Sequence, residues 1–176
     1  KVPGVEYHEL ARAIVLRQPL PLAPGAIVVA SAGTSDLPVA EEAAAESLIG
    51  FAGVDYKADI ESGLACIADP DHLHRILGNL IRNAAQAMKD HTRRDKGLVV
   101  RAVRAEGRCE IDVIDHGPGV RENLRERLFE PWVSAAPEAG GSGLGLAIAR
   151  ELTRSMGGEL ELTRTGAEGT TFRITL

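Results

Sequence analysis

Three short stretches of the chain carry residue types that could do chemistry together. The first is Asn79-Leu-Ile-Arg-Asn83, two carboxamides four residues apart. On a helix they lie one above the other on one face. Their carbonyl oxygens suit Mg²⁺, a hard cation that takes oxygen ligands and keeps several waters. The second is Asp115-His-Gly-Pro-Gly119. An ionised carboxylate only accepts hydrogen bonds, which suits the exocyclic amine of adenine, and Gly117 and Gly119 would let the backbone pass close to a flat ring. The third is Gly141-x-Gly143-Leu144-Gly145, at the start of an apolar-periodic segment. Free N–H groups at a helix N-terminus bind phosphate, and glycine lets the phosphate come near. Each stretch alone has an ordinary reading: surface amides, a strand-ending turn, a flexible glycine string. In this order they supply what a Mg-nucleotide such as ATP needs.

Two other nucleotide-binding patterns fit poorly. A dinucleotide fold wants a small residue at position 146, where Leu146 stands, and a parallel βαβ unit followed by an acid, which does not appear. A P-loop needs a lysine directly after glycine, and none of the four lysines follows one.

The elements that would position these stretches follow from periodicity and punctuation. Asp69-Pro70 is a helix start, a capping carboxylate followed by proline at the first helical position. Leu73, Ile76, Leu77, Leu80, Ile81, Ala84, Ala87 and Met88 then repeat at the helical period. Residues 98–105 and 108–115 read as strands joined at Glu106-Gly107. Residues 144–156 read as a helix stopped by Gly157-Gly158, and residues 159–164 and 170–176 as a closing hairpin. A short helix is expected over 121–128, strands over 51–60 and 64–68, and a helix from Pro38 to about residue 49, with Asp36 as its cap. Ahead of these, residues 7–17 read as a short helix, followed by a loop with Pro19, Pro21 and Pro24 and a buried strand over 25–31. The fold class expected is α+β: a two-layer sandwich with a mixed, mostly antiparallel sheet of about five strands, one face covered by three helices.

The 176 residues suit one domain, or one domain with an appendage. A hydrophobic content of 44% supports a core, but with 3% aromatics that core must be aliphatic. The net charge of −5 gives no basic footprint, so nucleic acid is not an expected partner. Arg121, Arg125 and Arg127 could meet phosphate, or simply form a solvated face. Cys66 and Cys109, far apart in sequence, suggest neither a zinc site nor a disulfide framework. A cytoplasmic location without direct membrane contact is expected.

The order Asn box, Asp-x-Gly-x-Gly, Gly-x-Gly-x-Gly resembles the ATP-binding catalytic domains of sensor histidine kinases. These belong to the ATPase group (the Bergerat fold) that includes gyrase, Hsp90 and MutL. The segments DPDHLHRILGNLIRNAAQAM, DVIDHGPGV, LFEPWVS and GGSGLGLAIARELTRSMGGELEL carry the likeness, which covers residues 41–176. It implies that Asn83 ligates Mg²⁺ and that Asn79 sits beside the phosphates, where ATP-hydrolysing relatives often carry a general-base Glu. It implies that Asp115 binds adenine, with Gly117 and Gly119 shaping that wall. Residues 120–142 would be a mobile lid, with Gly141, Gly143, Leu144 and Gly145 as its hinge and phosphate wall. The implied activity is transfer of the γ-phosphate of ATP to a histidine on a separate dimerisation domain, and from there to a response regulator. Two departures stand out. Ser134-Ala135-Ala136 lacks the basic residue many such kinases carry there, and Ala-Gln86-Ala-Met88 replaces the Lys or Tyr frequent after the second Asn.

The front of the chain does not fit that family. His8-Glu9-Leu10 looks superficially like the start of a phosphoacceptor box, but the usual Arg-Thr-Pro does not follow. Residues 1–44 instead resemble part of a LarB-type protein, related to the PurE family of carboxylases. Gly33, Thr34, Ser35 and Asp36 match that family's phosphate-holding turn. Together the two resemblances imply a chimera: a fragment over 1–40 and a kinase-like domain over 41–176, joined within the helix at 39–47. A strand at 27–31 would then need a partner, either the main sheet or a second copy of the chain, which would make a homodimer. Alternative functions are a slow ATPase of the gyrase type or a recombined scaffold without activity.

Overall fold

The element that organises the molecule begins at a cap. Asp69 accepts a hydrogen bond from the His72 backbone N–H at 3.0 Å, and Pro70 opens helix α2 (Pro70–Met88). Its apolar stripe, Leu73, Ile76, Leu77, Leu80, Ile81, Ala84 and Met88, is buried almost completely. Each fully buried Leu or Ile contributes about 1.5–3 kcal/mol, so α2 is held by tertiary burial more than by its own propensity. It packs between helices α1 (Pro38–Ser47) and α4 (Gly145–Ser155). Gly78 permits a close approach to α1, because a Cβ there would lie 3.2 Å from the Ser47 hydroxyl.

The computed structural model describes residues 5–8, 13–16, 28–30, 38–48, 54–89, 97–134 and 142–176. Beneath the three helices lies a five-stranded sheet of β4 (Tyr56–Ile60), β6 (Leu98–Ala105), β7 (Arg108–Asp115), β9 (Gly169–Thr175) and β8 (Glu159–Gly166), in that spatial order. The β4–β6 pair is parallel and the others are antiparallel. This mixed two-layer arrangement is the one expected from the sequence. Along β7, Cys109, Ile111, Val113 and Asp115 point toward the helices by the period-two rule, and all four are buried. Asp115 is therefore the last residue of a core-facing row.

The opposite face of the sheet carries charge. Asp59, Arg101, Asp112, Arg173 and Glu161 stand opposite one another across all five strands, alternating in sign. Arg173 forks onto both Asp112 oxygens at 2.7 Å and reaches Glu110 at 2.6 Å. Opposite charges directly across strands stabilise a sheet and help fix its register.

The front of the chain departs from expectation. Where a helix is expected over 7–17, the described residues form strands: β1 (Val5–His8) pairs antiparallel with β2 (Ala13–Leu16), Tyr7 opposite Ile14. The β-branched pair Ile14-Val15 favours the pleated state, and the expected helix had too few residues to be stable alone. The expected strand over 25–31 is present as β3 (Val28–Ala30). It pairs with β5 (Ala65–Ile67) rather than with the main sheet, Val29 opposite Cys66. The turn Gly33–Asp36 and His91 lie outside the described residues. The short helix expected over 121–128 is reduced to α3 (Glu122–Arg125).

Candidate functional site

One face of α2 runs between the two glycine segments. Positions 79, 83 and 87 are spaced at i, i+4 and share that face. At its N-terminal end, a Cβ on Gly145 would lie 3.6 Å from the Asn79 side-chain oxygen, so the start of α4 abuts that carboxamide. At its C-terminal end, a Cβ on Gly117 would lie 3.2 Å from both the Ala87 methyl and the Ala87 carbonyl oxygen. Asn83 stands between them, exposed. Eight residues of helix rise about 12 Å, which is the span separating the two glycine walls.

The Asp115 end is tightly determined. Asp115 is 3% exposed, and its Oδ1 accepts from the Gly117 N–H at 2.8 Å and the Thr170 N–H at 3.1 Å. Burial pushes its carboxyl above the usual carboxylate range. The Gly117 and Thr170 backbone donors, the Thr170 hydroxyl and the nearby His116 pull back in the other direction. Thr170 sits directly across from Asp115 on β9. Gly169, at φ +119°, passes so close to the Asp115 carbonyl that any Cβ would collide with it. Gly119, at φ +80°, lies against the Gly166 backbone, while Val120 N–H donates to the Thr165 hydroxyl at 2.7 Å. The His116 ring nitrogen Nδ1 pairs with the Gly97 carbonyl at 2.9 Å.

The α4 end is more open. Helix α4 starts after Leu144, which makes no side-chain cap hydrogen bond, so the cap residue itself leaves the first N–H groups of the helix unmet. Ser142 Oγ accepts from the Leu144 N–H at 3.3 Å. Gly143, at φ +69°, tucks against Trp132, whose N–H donates to the Gly143 carbonyl at 3.0 Å. Trp132 itself has φ +68° and is 76% exposed, an uncommon conformation for a bulky residue. The segment after α3 is pinned at Leu128, which is buried, and at Phe129, which packs edge-on to Phe172. The Arg150 guanidinium lies 5.0 Å over the Phe129 ring. Arg127 pairs with Glu130 at 2.8 Å, and Arg125 donates to the Val120 carbonyl at 3.4 Å.

The structure thus brings Asn79, Gly145, Gly117 and Asp115 around one helix face, with Asn83 in the middle. Gly143 and Leu144 lead into that face, and Gly119 braces the turn below it. Gly141 and residues 135–140 of the expected lid lie outside the described residues. Sequence reasoning missed Thr170, Gly169 and the Phe129–Arg150 contact. Only strand register brings Thr170 opposite Asp115, and the loop sequence around residues 166–169 shows a turn without showing what it touches.

The family model for the histidine kinase-, DNA gyrase B-, and HSP90-like ATPases matches residues 68–176. The chain is 38% identical over 135 residues to the sensor histidine kinase component HK1 of Mycobacterium tuberculosis, covering 74% of this chain and 77% of that protein. It is 37% identical over 114 residues to the C4-dicarboxylate transport sensor protein DctB of Rhizobium meliloti, covering 65% of this chain and 18% of that protein. It therefore spans less than a fifth of that longer relative. The solved structure of full-length ShkA in complex with AMPPNP superimposes with a TM-score of 0.66 at 29% identity, over 82% of this chain and 30% of that one.

Proposed function

The chain belongs to the histidine kinase-, DNA gyrase B- and HSP90-like ATPase family, among its sensor histidine kinases, and on that premise we propose that it is the Mg-ATP-binding catalytic domain of such a kinase. In this reading it donates the γ-phosphate to a histidine on a separate dimerisation domain, with a response regulator as the onward acceptor. The observation that carries the reading is the α2 face, with a buried carboxylate turn at one end and an uncapped, glycine-opened helix start at the other. The ShkA neighbour, solved with AMPPNP, supports ATP as the ligand.

In this assignment Asp115 accepts from the adenine amine, while Gly117 and Gly119 form the wall behind the base. Both backbone donors to Asp115 go to Oδ1, which fixes the carboxylate and aims its remaining acceptor capacity outward. Thr170 joins it as a positioning residue. The N–H groups of Gly145 and its neighbours meet phosphate oxygens, with Gly141, Gly143 and Leu144 forming the approach. The donor set fits Mg²⁺: the exposed Asn83 oxygen supplies one protein ligand, and a metal of this kind takes the rest from phosphate and water. Bound there, the ion would neutralise phosphate charge during transfer. Asn79 cannot act as a general base, since a carboxamide has no proton affinity near neutrality. It positions the phosphates and leaves water unactivated, which favours transfer over hydrolysis. We read residues 1–40 as an appendage to the kinase-like body over 41–176. The pairing of β3 with β5 supports docking of that segment within the chain. Among the described residues no helix is long and apolar enough to cross a membrane.

The reading is tested by incubating the chain with Mg²⁺ and ATP labelled on the γ-phosphate, alone and with a histidine-bearing dimerisation hairpin from a sensor kinase relative. Acid-labile, alkali-stable label on the hairpin, with little free phosphate from the chain alone, is the expected result. Steady phosphate release by the chain alone, with no label transferred, would make it an ATPase instead.

A further inference from the structure

Strands β6 and β7 pair with Val99 opposite Ile114. Carried two residues outward, the same register sets Gly97 against His116, at the edge of the Asp115 turn. A side chain joins the two, for His116 Nδ1 lies 2.9 Å from the Gly97 carbonyl oxygen. A carbonyl oxygen only accepts, so Nδ1 carries the proton and Nε2 is bare in the neutral ring. Gly97 is buried, and a buried carbonyl left without a donor is destabilising. The oxygen is also fixed in place. Gly97 has φ +73°, a Cβ there would lie 2.9 Å from the Asp55 carbonyl oxygen, and the Leu98 N–H donates to that same oxygen at 2.7 Å.

On the other flank, a Cβ on Gly169 of β9 would lie 2.8 Å from the His116 Cα. Residue 116 is thus clamped, its backbone against β9 and its ring against the residue before β6. The peptide that follows it carries the Gly117 N–H, which donates to Asp115 Oδ1 at 2.8 Å. The tilt of that peptide depends on ψ of His116 and φ of Gly117. Glycine restrains φ little, so the restraint falls to His116. We propose that His116 is a positioning residue for the adenine carboxylate: the tether from its ring to Gly97 holds the peptide whose N–H fixes Asp115. The proposal deepens, and rests on, the reading of Asp115 as the acceptor for the adenine amine. The ring of His116 acts on the base only through Asp115.

A histidine with a structural role alone would satisfy the Gly97 carbonyl and do no more. Its loss would loosen the chain without regard to which base is offered. A positioning histidine makes a narrower demand. Without the tether the Gly117 peptide turns, and Oδ1 loses one of its two backbone donors. The carboxylate is then no longer aimed. The phosphate end, about 12 Å away along α2, is untouched, so the loss falls on recognition of the amine. Asparagine at position 116 would keep the tether. Its Nδ2 is a donor and stands as many bonds from Cα as the imidazole Nδ1.

The test compares the affinity of the full chain for Mg-ATP and for the purine ribonucleoside triphosphate that lacks the exocyclic amine. The wild type should prefer ATP by about 30-fold. His116→Ala should cut that preference to about threefold by weakening ATP alone, and His116→Asn should restore it. The preference is a ratio measured on one preparation, so incomplete folding of a variant cancels. In parallel, ¹⁵N-histidine spectra of the wild type at alkaline pH, where imidazoles are neutral, should show His116 protonated on Nδ1. Its signals are assigned by their absence from His116→Asn, and this readout stands even where His116→Ala does not fold. An Nε2–H tautomer, an unchanged preference in His116→Ala, or no restoration in His116→Asn would overturn the proposal and leave the Asp115 reading standing. A wild type that binds both nucleotides equally, or neither, would overturn the Asp115 reading and the proposal with it.

Discussion

The two ends of the site are built in different ways. At the Asp115 end, a buried carboxylate takes two backbone donors, an opposing threonine braces it and a glycine backbone lies against its carbonyl. At the α4 end, Trp132 is exposed and the helix start has no side-chain cap, and Asn83, midway along α2, is exposed too. In the proposed reading, the group that would read a base is held by the fold itself, whereas the helix start that would meet phosphate carries no side-chain cap. A preorganised end costs little reorganisation on binding.

The comparison can be broken first at its rigid side. Gly169→Val forces a side chain into the Asp115 carbonyl at φ +119° and should destabilise the chain by about 4 kcal/mol in urea unfolding. A stability loss under about 1 kcal/mol would show that this end is not over-determined. Next, Asp115→Asn must keep its oxygen on the Gly117 and Thr170 donors, which turns its NH₂ toward the adenine amine. Two donors then face each other, and ATP affinity should fall about 100-fold, or ~2.8 kcal/mol, with the fold intact by circular dichroism.

At the open side the effects should be smaller. Asn83→Ala should lower Mg-ATP affinity about tenfold, ~1.4 kcal/mol, while leaving metal-free nucleotide binding unchanged; equal losses with and without Mg²⁺ would remove Asn83 from the metal. A pH series sharpens the contrast further. Burial raises the Asp115 carboxyl, so the native chain keeps that proton to higher pH than the unfolded chain. Its contribution to the stability of the bare chain is present at low pH and lost as pH rises through the raised value. Nucleotide affinity should run the opposite way, falling as pH drops and the acceptor is protonated, and Asp115→Asn should abolish that dependence. The smallest effect belongs to Gly145→Ala. Its methyl would sit in ordinary contact, 3.6 Å from the Asn79 oxygen, without a positive φ. The chain should fold normally and lose less than about threefold in affinity, ~0.6 kcal/mol.

Much of this was legible in the sequence because it rests on local rules. Asp69-Pro70 announces α2 through cap chemistry, the apolar repeat from Leu73 to Met88 gives its buried face, and β6 and β7 follow from alternation around Glu106-Gly107. Asp115 is readable as a strand end. What was not readable depends on which strands become neighbours. Thr170 gains its place only through the β7–β9 register. The front segment misled for a related reason: residues 7–17 carry weak helical spacing, but a strand partner within reach outweighs a helix too short to be stable alone.

The measurement that bears most directly on the account is calorimetric titration of this chain with ATP, with and without Mg²⁺, set beside Asp115→Asn. The account predicts Mg-dependent binding that is about 100-fold weaker in the variant, ~2.8 kcal/mol, while both proteins show the same far-ultraviolet circular dichroism. Equal binding by the two folded proteins, or none by the wild type, would contradict it.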